Sequence, residues 1–266
     1  MQKKLSLVVA TVALLGLSAC SLLPEKIDET KNWSVSKLYS EAREEMDGQH
    51  YERAIELFGK LETNYPFGTY AQQAQMEIAY AYYKSGDQAQ ALAAVERFIK
   101  LHPNHANVDY MYYLRGLVNF NDQIGFLNFV YEQDPTERDP KATREAFTAF
   151  KLLVDKFPTS QYAPDAVERM KYLINAMAQY EVHVARYYYR REAYLAAVNR
   201  AQGAVSDYRD SPAIEEALFI MTRAYDKLGL VELRDDVRRV FDKNYPNSRF
   251  LTAEGSKAER HWWKIW

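Results

Sequence analysis

One segment of this chain recurs in four further copies, and nothing else in the sequence restricts the fold as much. Tyr51-x-x-Ala54-x-x-x-Phe58-x-x-Leu61-x-x-x-Tyr65-Pro66 returns at a shift of 37 as Ala91, Val95, Phe98, His102 and Pro103, and at a shift of 92 as Ala146, Phe150, Leu153, Phe157 and Pro158. At 180 it returns as Phe241, Tyr245 and Pro246. A fifth unit at 143 keeps Tyr194, Ala197, Ala201, Ala204 and Tyr208, with its proline, Pro212, three residues late. Spacing of i, i+4, i+7, i+11 gathers these residues on one helical face, and the proline marks where that helix stops.

A second helical stretch precedes each copy: Val35–Met46, Ala71–Lys84, Val108–Val118, Ala163–Arg191 and Ala213–Leu228, with Gly48, Gly86 and Gly229 near three of the turns. Helix, tight turn, helix and proline at a period of about 34 to 37 is the tetratricopeptide pattern. No unit buries its apolar face alone, so the units stack. The fold class expected is all-α: a tetratricopeptide-type solenoid of about five helix pairs, roughly ten helices, over residues 33–250, wound as a right-handed superhelix with a concave inner surface. Few glycines (10) and prolines (9) in 266 residues agree with long helices rather than a turn-rich β architecture.

Two stretches break the period. The step from Ala91 to Ala146 is 18 residues too long, which places an insertion at 119–142, inside the third repeat, mixing Phe120, Phe126, Phe129 and Tyr131 with Asp122, Glu132, Asp134, Glu137 and Asp139. A long insertion of this kind is either functional or packs its aromatics on a neighbouring helix. Residues 165–202 contain neither Gly nor Pro, so periodicity alone allows one continuous helix there. Only the repeat register asks for a turn near Arg191–Ala193.

The first residues carry an address. Lys3 and Lys4 precede an apolar run from Leu5 to Leu17, too short to span a bilayer as a mature helix, so residues 1–19 read as a signal peptide. Leu17-Ser18-Ala19-Cys20 resembles the bacterial lipobox, in which cleavage falls before an acylated cysteine. Cys20 is the only cysteine of the chain, so an internal disulfide is impossible and lipid attachment explains both its position and its solitude. Ser21, not Asp, follows it, which by the sorting rule of enteric bacteria points to the outer membrane. Residues 20–32 then serve as acylated N-terminus and polar tether, spanning about 40 Å if extended.

Charge and motif searches exclude several classes of function. Without Lys3 and Lys4 the 34 basic residues fall to 32 against 36 acidic ones, a net charge of −4, which argues against nucleic acid as a partner. No phosphate loop, dinucleotide fingerprint, nucleophile elbow, H-E-x-x-H or C-x-x-C is present, and no carboxylate pair stands out, so no catalytic residue is expected. His102 and His105 lack cysteine or carboxylate companions at ligand spacing, so no metal and no cofactor is expected beyond the lipid on Cys20.

Binding remains. Tyr65, Phe67, Tyr70, Tyr80, Tyr83 and Tyr110 are the candidates for a peptide groove, since first helices line the inside of such solenoids and tyrosine offers a ring and a hydrogen-bonding tip at low entropic cost. Adjacent Tyr82 and Tyr83 cannot share a face, so about half of the aromatic set belongs to the core. Arg186, Arg190 and Arg191 with Tyr187–Tyr189, followed by Arg200, are the candidates for docking a partner, because interface hot spots favour arginine beside tyrosine. Residues 251–266 form a tail in which Trp262, Trp263 and Trp266 crowd the last five positions. Two roles fit it: a cap folded back on the apolar face of the last helix (Val237, Val240, Phe241), or an anchor reaching a membrane interface or partner groove, with Thr252–Arg260 as a polar hinge.

The lipobox, the Tyr65-Pro66-Phe67-Gly68-Thr69-Tyr70 block, Tyr80-Ala81-Tyr82-Tyr83-Lys84, Asp109–Gly116, Arg138-Asp139-Pro140 and Val198-Asn199-Arg200 together resemble the BamD, or ComL, family of tetratricopeptide lipoproteins. The likeness runs from residue 17 to about 250; the tryptophan-rich tail departs from it. The resemblance implies a non-enzymatic member of the outer-membrane β-barrel assembly complex, held by lipid to the inner leaflet of the outer membrane and facing the periplasm. It implies docking of the C-terminal repeats on the POTRA domains of BamA, contact with the other lipoproteins of the complex, and reception of unfolded outer-membrane proteins by their C-terminal aromatic signal. The alternative is a general envelope or peptidoglycan-associated scaffold lipoprotein, which need not carry the Tyr-Pro-Phe-Gly block. A periplasmic hydrolase would need a carboxylate pair or nucleophile that the sequence does not display.

Overall fold

A computed structural model describes residues 29–121 and 141–251. Ten α-helices lie in them: α1 (Val35–Asp47), α2 (Tyr51–Asn64), α3 (Thr69–Ser85), α4 (Gln88–Leu101), α5 (Val108–Asn121), α6 (Lys141–Lys156), α7 (Ala163–Arg190), α8 (Tyr194–Asp207), α9 (Ile214–Leu228) and α10 (Val231–Asn244). A short 3-10 turn, Arg249–Leu251, follows. No strand occurs among the described residues, and none of their helices is long and apolar enough to cross a membrane. The all-α repeat solenoid read from the sequence is the fold observed. Cys20, most of the tether and the tail tryptophans lie outside the described residues.

Odd-numbered helices open each repeat and even-numbered helices close it. Sequence-adjacent helices pack against each other, and α1 also meets α3, α3 meets α5, and α7 meets α9. The residues of the repeated pattern form the spine of the core. Ala54, Phe58 and Leu61, then Ala91, Val95 and Phe98, then Ala146, Phe150 and Leu153, are all fully buried. The core passes from repeat to repeat through shared side chains: Tyr80, Tyr82 and Ala94 pack against both the first and the second cluster, and Ile99 and Leu117 against both the second and the third. Such nearest-neighbour burial is what a stacked solenoid requires.

The turn inside a repeat uses one device four times. Gly86 (φ 82°) and Gly229 (φ 70°) take the left-handed conformation that closes a helix, and the following residue donates back to the carbonyl of Tyr82 or Tyr225 at 3.0 Å. In the first and fourth repeats the left-handed residue is Gln49 (φ 62°) and Glu192 (φ 59°) instead. Glu192 therefore ends the glycine-free stretch at the place the repeat register requires.

Helical structure extends into both ends of the irregular segment, through Asn121 and again from Lys141. Phe120, read as part of the insertion, instead packs in the core against Phe150 and Tyr172. The remaining insertion residues named above lie outside the described residues. Between repeats, polar side chains add register: Arg97 donates to both oxygens of Glu62 at 2.8 Å, and Gln75 joins Glu62 to His102.

Candidate functional site

The first helices α1, α3, α5 and α7 bring an aromatic ladder together. Tyr70 meets Tyr39 edge-on at 5.3 Å, and Tyr39 meets Phe58 at 5.7 Å. Further along, Tyr80 approaches Tyr83 (6.2 Å), Tyr110 approaches Tyr162 (5.5 Å), and Tyr162 stacks on Tyr113 at 4.9 Å. Phe120 and the exposed ring of Tyr172 extend the ladder, with the Arg169 guanidinium over Phe120. Helical spacing explains the placement, because Tyr39 and Arg43 on α1, and Glu77 and Tyr80 on α3, are neighbours on one face.

An open cleft of about 400 Å3 sits in this ladder, lined by Arg43, Met76, Glu77, Tyr80, Asn107, Tyr110, Gln161 and Tyr162. Arg43 donates to Glu77 at 2.7 Å across the first two repeats. Burial raises the Glu77 carboxyl above its ordinary range against the opposing pull of Arg43. Burial likewise pushes the Tyr110 hydroxyl well above the usual tyrosine range, so it keeps its proton and offers a hydrogen-bond donor on the cleft wall. The cleft thus offers ring faces, hydroxyl tips and one ion pair, a surface suited to apolar side chains on an extended backbone.

Of the sequence-derived groove residues, Tyr80 and Tyr110 line the cleft, and Tyr83 stands beside Tyr80. Tyr70 lies one step away, on Tyr39. Tyr65 donates its hydroxyl to the Trp33 carbonyl at 3.1 Å and so ties the start of the solenoid to the turn before α3. Phe67 does not enter the cleft; it is 91% exposed on that turn. Sequence reasoning missed Tyr39, Arg43, Glu77 and Tyr162. The i, i+4 spacing of Tyr39 and Arg43 was the available signal.

The four arginines have unlike surroundings. Arg186 grips Glu216 of α9 with two hydrogen bonds of 2.8 Å, and that carboxylate is only 13% exposed. Arg200 of α8 is nearly half exposed and reaches Glu181 of α7 at 3.2 Å. Arg191 covers the ring of Tyr187 at 5.4 Å, and Arg190 is exposed. Arg186 is thus committed to holding α7 on α9, whereas Arg190, Arg191 and Arg200 are presented to solvent. Near Arg186 a second cleft of about 400 Å3 is lined by Gln179, His183, Glu215, Arg249 and Phe250. No cluster of metal-ligating residues occurs among the described residues. His102 bonds Gln75, and both His102 and His105 pack on Phe98.

A stacked helical solenoid with an open aromatic face defines the class: an all-α repeat protein. A family model described as an outer membrane lipoprotein, YfiO, matches residues 31–240. The outer membrane protein assembly factor BamD of Neisseria meningitidis serogroup A is 47% identical over 97% of this chain and 98% of its own length. The assembly factor of the same name from Vibrio cholerae is 37% identical, covering 88% of this chain and 95% of its own. The chain belongs to this family of outer membrane lipoproteins, that of the BamD assembly factors. Among solved structures, nearly identical TPR-like repeats of a Podosopora anserina kinesin light chain are similar with a TM-score of 0.36 and 16% identity, covering 79% of this chain and 96% of that one.

Proposed function

We propose that this chain is a non-enzymatic component of outer-membrane β-barrel assembly that receives unfolded outer-membrane proteins and docks them on the central barrel protein. In this reading the lipid on Cys20 holds the chain to the inner leaflet of the outer membrane, facing the periplasm. The aromatic cleft between α1, α3, α5 and α7 takes the C-terminal aromatic signal of the client. The C-terminal repeats, through Arg190, Arg191 and Arg200, meet the POTRA domains of BamA, with the companion lipoproteins of the complex close by. Family membership supports the assembly role, and the open ladder around Tyr80 and Tyr110 is the observation that carries the receptor role.

A binding titration tests it. A fluorescent peptide ending in phenylalanine should bind the soluble mature chain, and Tyr110→Ala should weaken that binding by about tenfold or more, in line with the 1–3 kcal/mol of a buried aromatic contact. BamA periplasmic domains should bind Tyr110→Ala as they bind the parent. Failure of the parent to bind either ligand would return the chain to the general envelope scaffold class.

A further inference from the structure

The turn between α2 and α3 departs from the later turns that close a repeat. Under the repeat shifts of 37, 92, 143 and 180, Phe67 falls where those turns carry Asn104, Thr159, Asp210 and Asn247. All four are exposed, and they are the short polar residues that turns favour. Phe67 keeps the exposure but puts an aromatic ring there. The backbone departs as well. In the later turns an amide donates back to the carbonyl three residues earlier, His105 to His102, Ser160 to Phe157, Ser211 to Tyr208 and Ser248 to Tyr245, at 3.0 to 3.1 Å. In the first turn the residue at that donor position is Gly68, at φ 98°.

Its neighbours hold this tip in place. Tyr65 is tied through its hydroxyl to the Trp33 carbonyl, and Tyr70 meets Tyr39, while the ring between them packs on neither. The surface around it is free of charge. From Glu62 to Glu77 no Asp, Glu, Lys or Arg intervenes, and residues 63–70 of that stretch are all exposed. Aromatic rings with hydroxyl and amide neighbours and no formal charge suit the boundary between water and lipid chains.

We propose that Phe67, flanked by Tyr65 and Tyr70, dips into the headgroup region of the leaflet that holds the lipid on Cys20, and so sets the first repeat against the membrane. The inference rests on that lipid, proposed above. Residues 20–32 reach about 40 Å at most and end at Trp33, the residue that Tyr65 holds. Of the five turns, the one that bears a ring is therefore the one nearest along the chain to the anchor. Lys37 stands over the Trp33 ring at 4.3 Å, a cation beside the same end. The chain after the signal carries 32 basic against 36 acidic residues, so an anionic lipid surface repels it as a whole, and a charge-free tip is where contact costs least. One ring does not hold a soluble chain on lipid; with the anchor in place it decides which way the solenoid faces.

Quenching by nitroxide lipids tests the contact. In the acylated chain the Cys20 sulfur is blocked, so Thr69→Cys supplies one free thiol beside Phe67 for a fluorophore, and Asp210→Cys supplies one at the corresponding turn of the fourth repeat. On phosphatidylethanolamine–phosphatidylglycerol vesicles, lipids with a nitroxide near the headgroup should quench the first fluorophore several-fold more than the second. Adding Phe67→Asp should bring the first down to the second and leave both flotation with the vesicles and the melting temperature unchanged. Equal quenching at the two positions in chains that keep Phe67 overturns the proposal, as does quenching that survives Phe67→Asp. Shielding of the first fluorophore by BamA periplasmic domains without lipid overturns it too, by assigning the ring to a protein partner. A chain that does not float defeats the lipid on Cys20 instead; the same variants, held on nickel-chelating lipid by a histidine tag in place of residue 20, then decide the role of Phe67 by the same comparison.

Discussion

Gly116 of α5 faces the ring of Phe150 of α6 so closely that a Cβ built on the glycine would fall 2.3 Å from Cε1. Phe150 is fully buried, so its ring cannot swing out into solvent without losing that burial. Gly116→Ala should therefore destabilise the chain by about 1–3 kcal/mol, the usual cost of overpacking a closed core. A thermal melt reads it, and an unchanged melting temperature would mean that the α5–α6 contact is looser than it looks.

Arg186 and Arg200 should separate in their effects. Arg186→Ala leaves the largely buried Glu216 without its two hydrogen bonds and should cost about 1–3 kcal/mol of stability. Arg200→Glu should also cost about 1–3 kcal/mol of stability, because it sets a carboxylate beside Glu181, which is only 14% exposed. In the proposed docking it should weaken binding to BamA periplasmic domains by about 2–5 kcal/mol if the arginine meets a desolvated carboxylate, and by under about 1 kcal/mol if it sits on the rim. Melting curves and binding isotherms for both variants give the comparison; equal effects of the two on docking would remove Arg200 from the interface.

Glu192 is exposed at its turn, yet it holds φ at 59°. Glu192→Gly should raise stability by about 0.5–1 kcal/mol, since glycine takes the left-handed conformation without the Cβ penalty. Urea titration would show a higher midpoint at unchanged slope.

Asp165 supplies a pH dependence. Burial alone would raise its carboxyl, but hydrogen bonds from Arg169 and Tyr113, both at 2.6 Å, outweigh it and hold the group below its ordinary value. Folding thus favours the ionised form, so this contribution is present above the ordinary carboxylate range and is lost as the pH falls through the lowered value. The gap in melting temperature between the parent and Asp165→Asn should be full at neutral pH and shrink below about pH 4. A gap constant down to pH 3 would dissociate the effect from ionisation.

Cys20→Ser should leave the solenoid folded, because the first core cluster begins at Leu38 with Trp33 packed against it, and should release the chain from membranes in a sedimentation assay. Persistent sedimentation would assign the attachment to protein contacts.

The repeat, its register and the helix count were legible because the buried positions Ala54, Phe58 and Leu61 return with the same chemistry wherever a second helix must close on a first. The turn at residues 191–193 was legible only through that register: its left-handed residue is Glu192, and the usual glycine cue is missing. The cleft was half legible. Tyr80 and Tyr110 were found as tyrosines on first helices, but Arg43, Glu77 and Tyr162 come from three different repeats, and only the stacking of those repeats sets them side by side. Phe67 lies outside the cleft for a related reason. Its neighbours Tyr65 and Tyr70 turn back to Trp33 and Tyr39, and the Pro66–Gly68 turn points the ring between them outward.

The 28-residue helix α7 belongs to both halves of the solenoid, with Leu173 in the core beneath the aromatic ladder and Val182 and Ala185 in the core beneath Arg200. At 1.5 Å per residue it is a rod of about 42 Å. Leu173 and Ala185 stand twelve residues apart on it, about 18 Å, so one continuous rod fixes the spacing of the two proposed faces. In the reading proposed above, an extended client strand at about 3.3 Å per residue would cross that spacing with roughly five or six residues. That is shorter than a transmembrane β-strand at its usual 9–11 residues, so in that reading a single client strand is long enough to touch both faces at once.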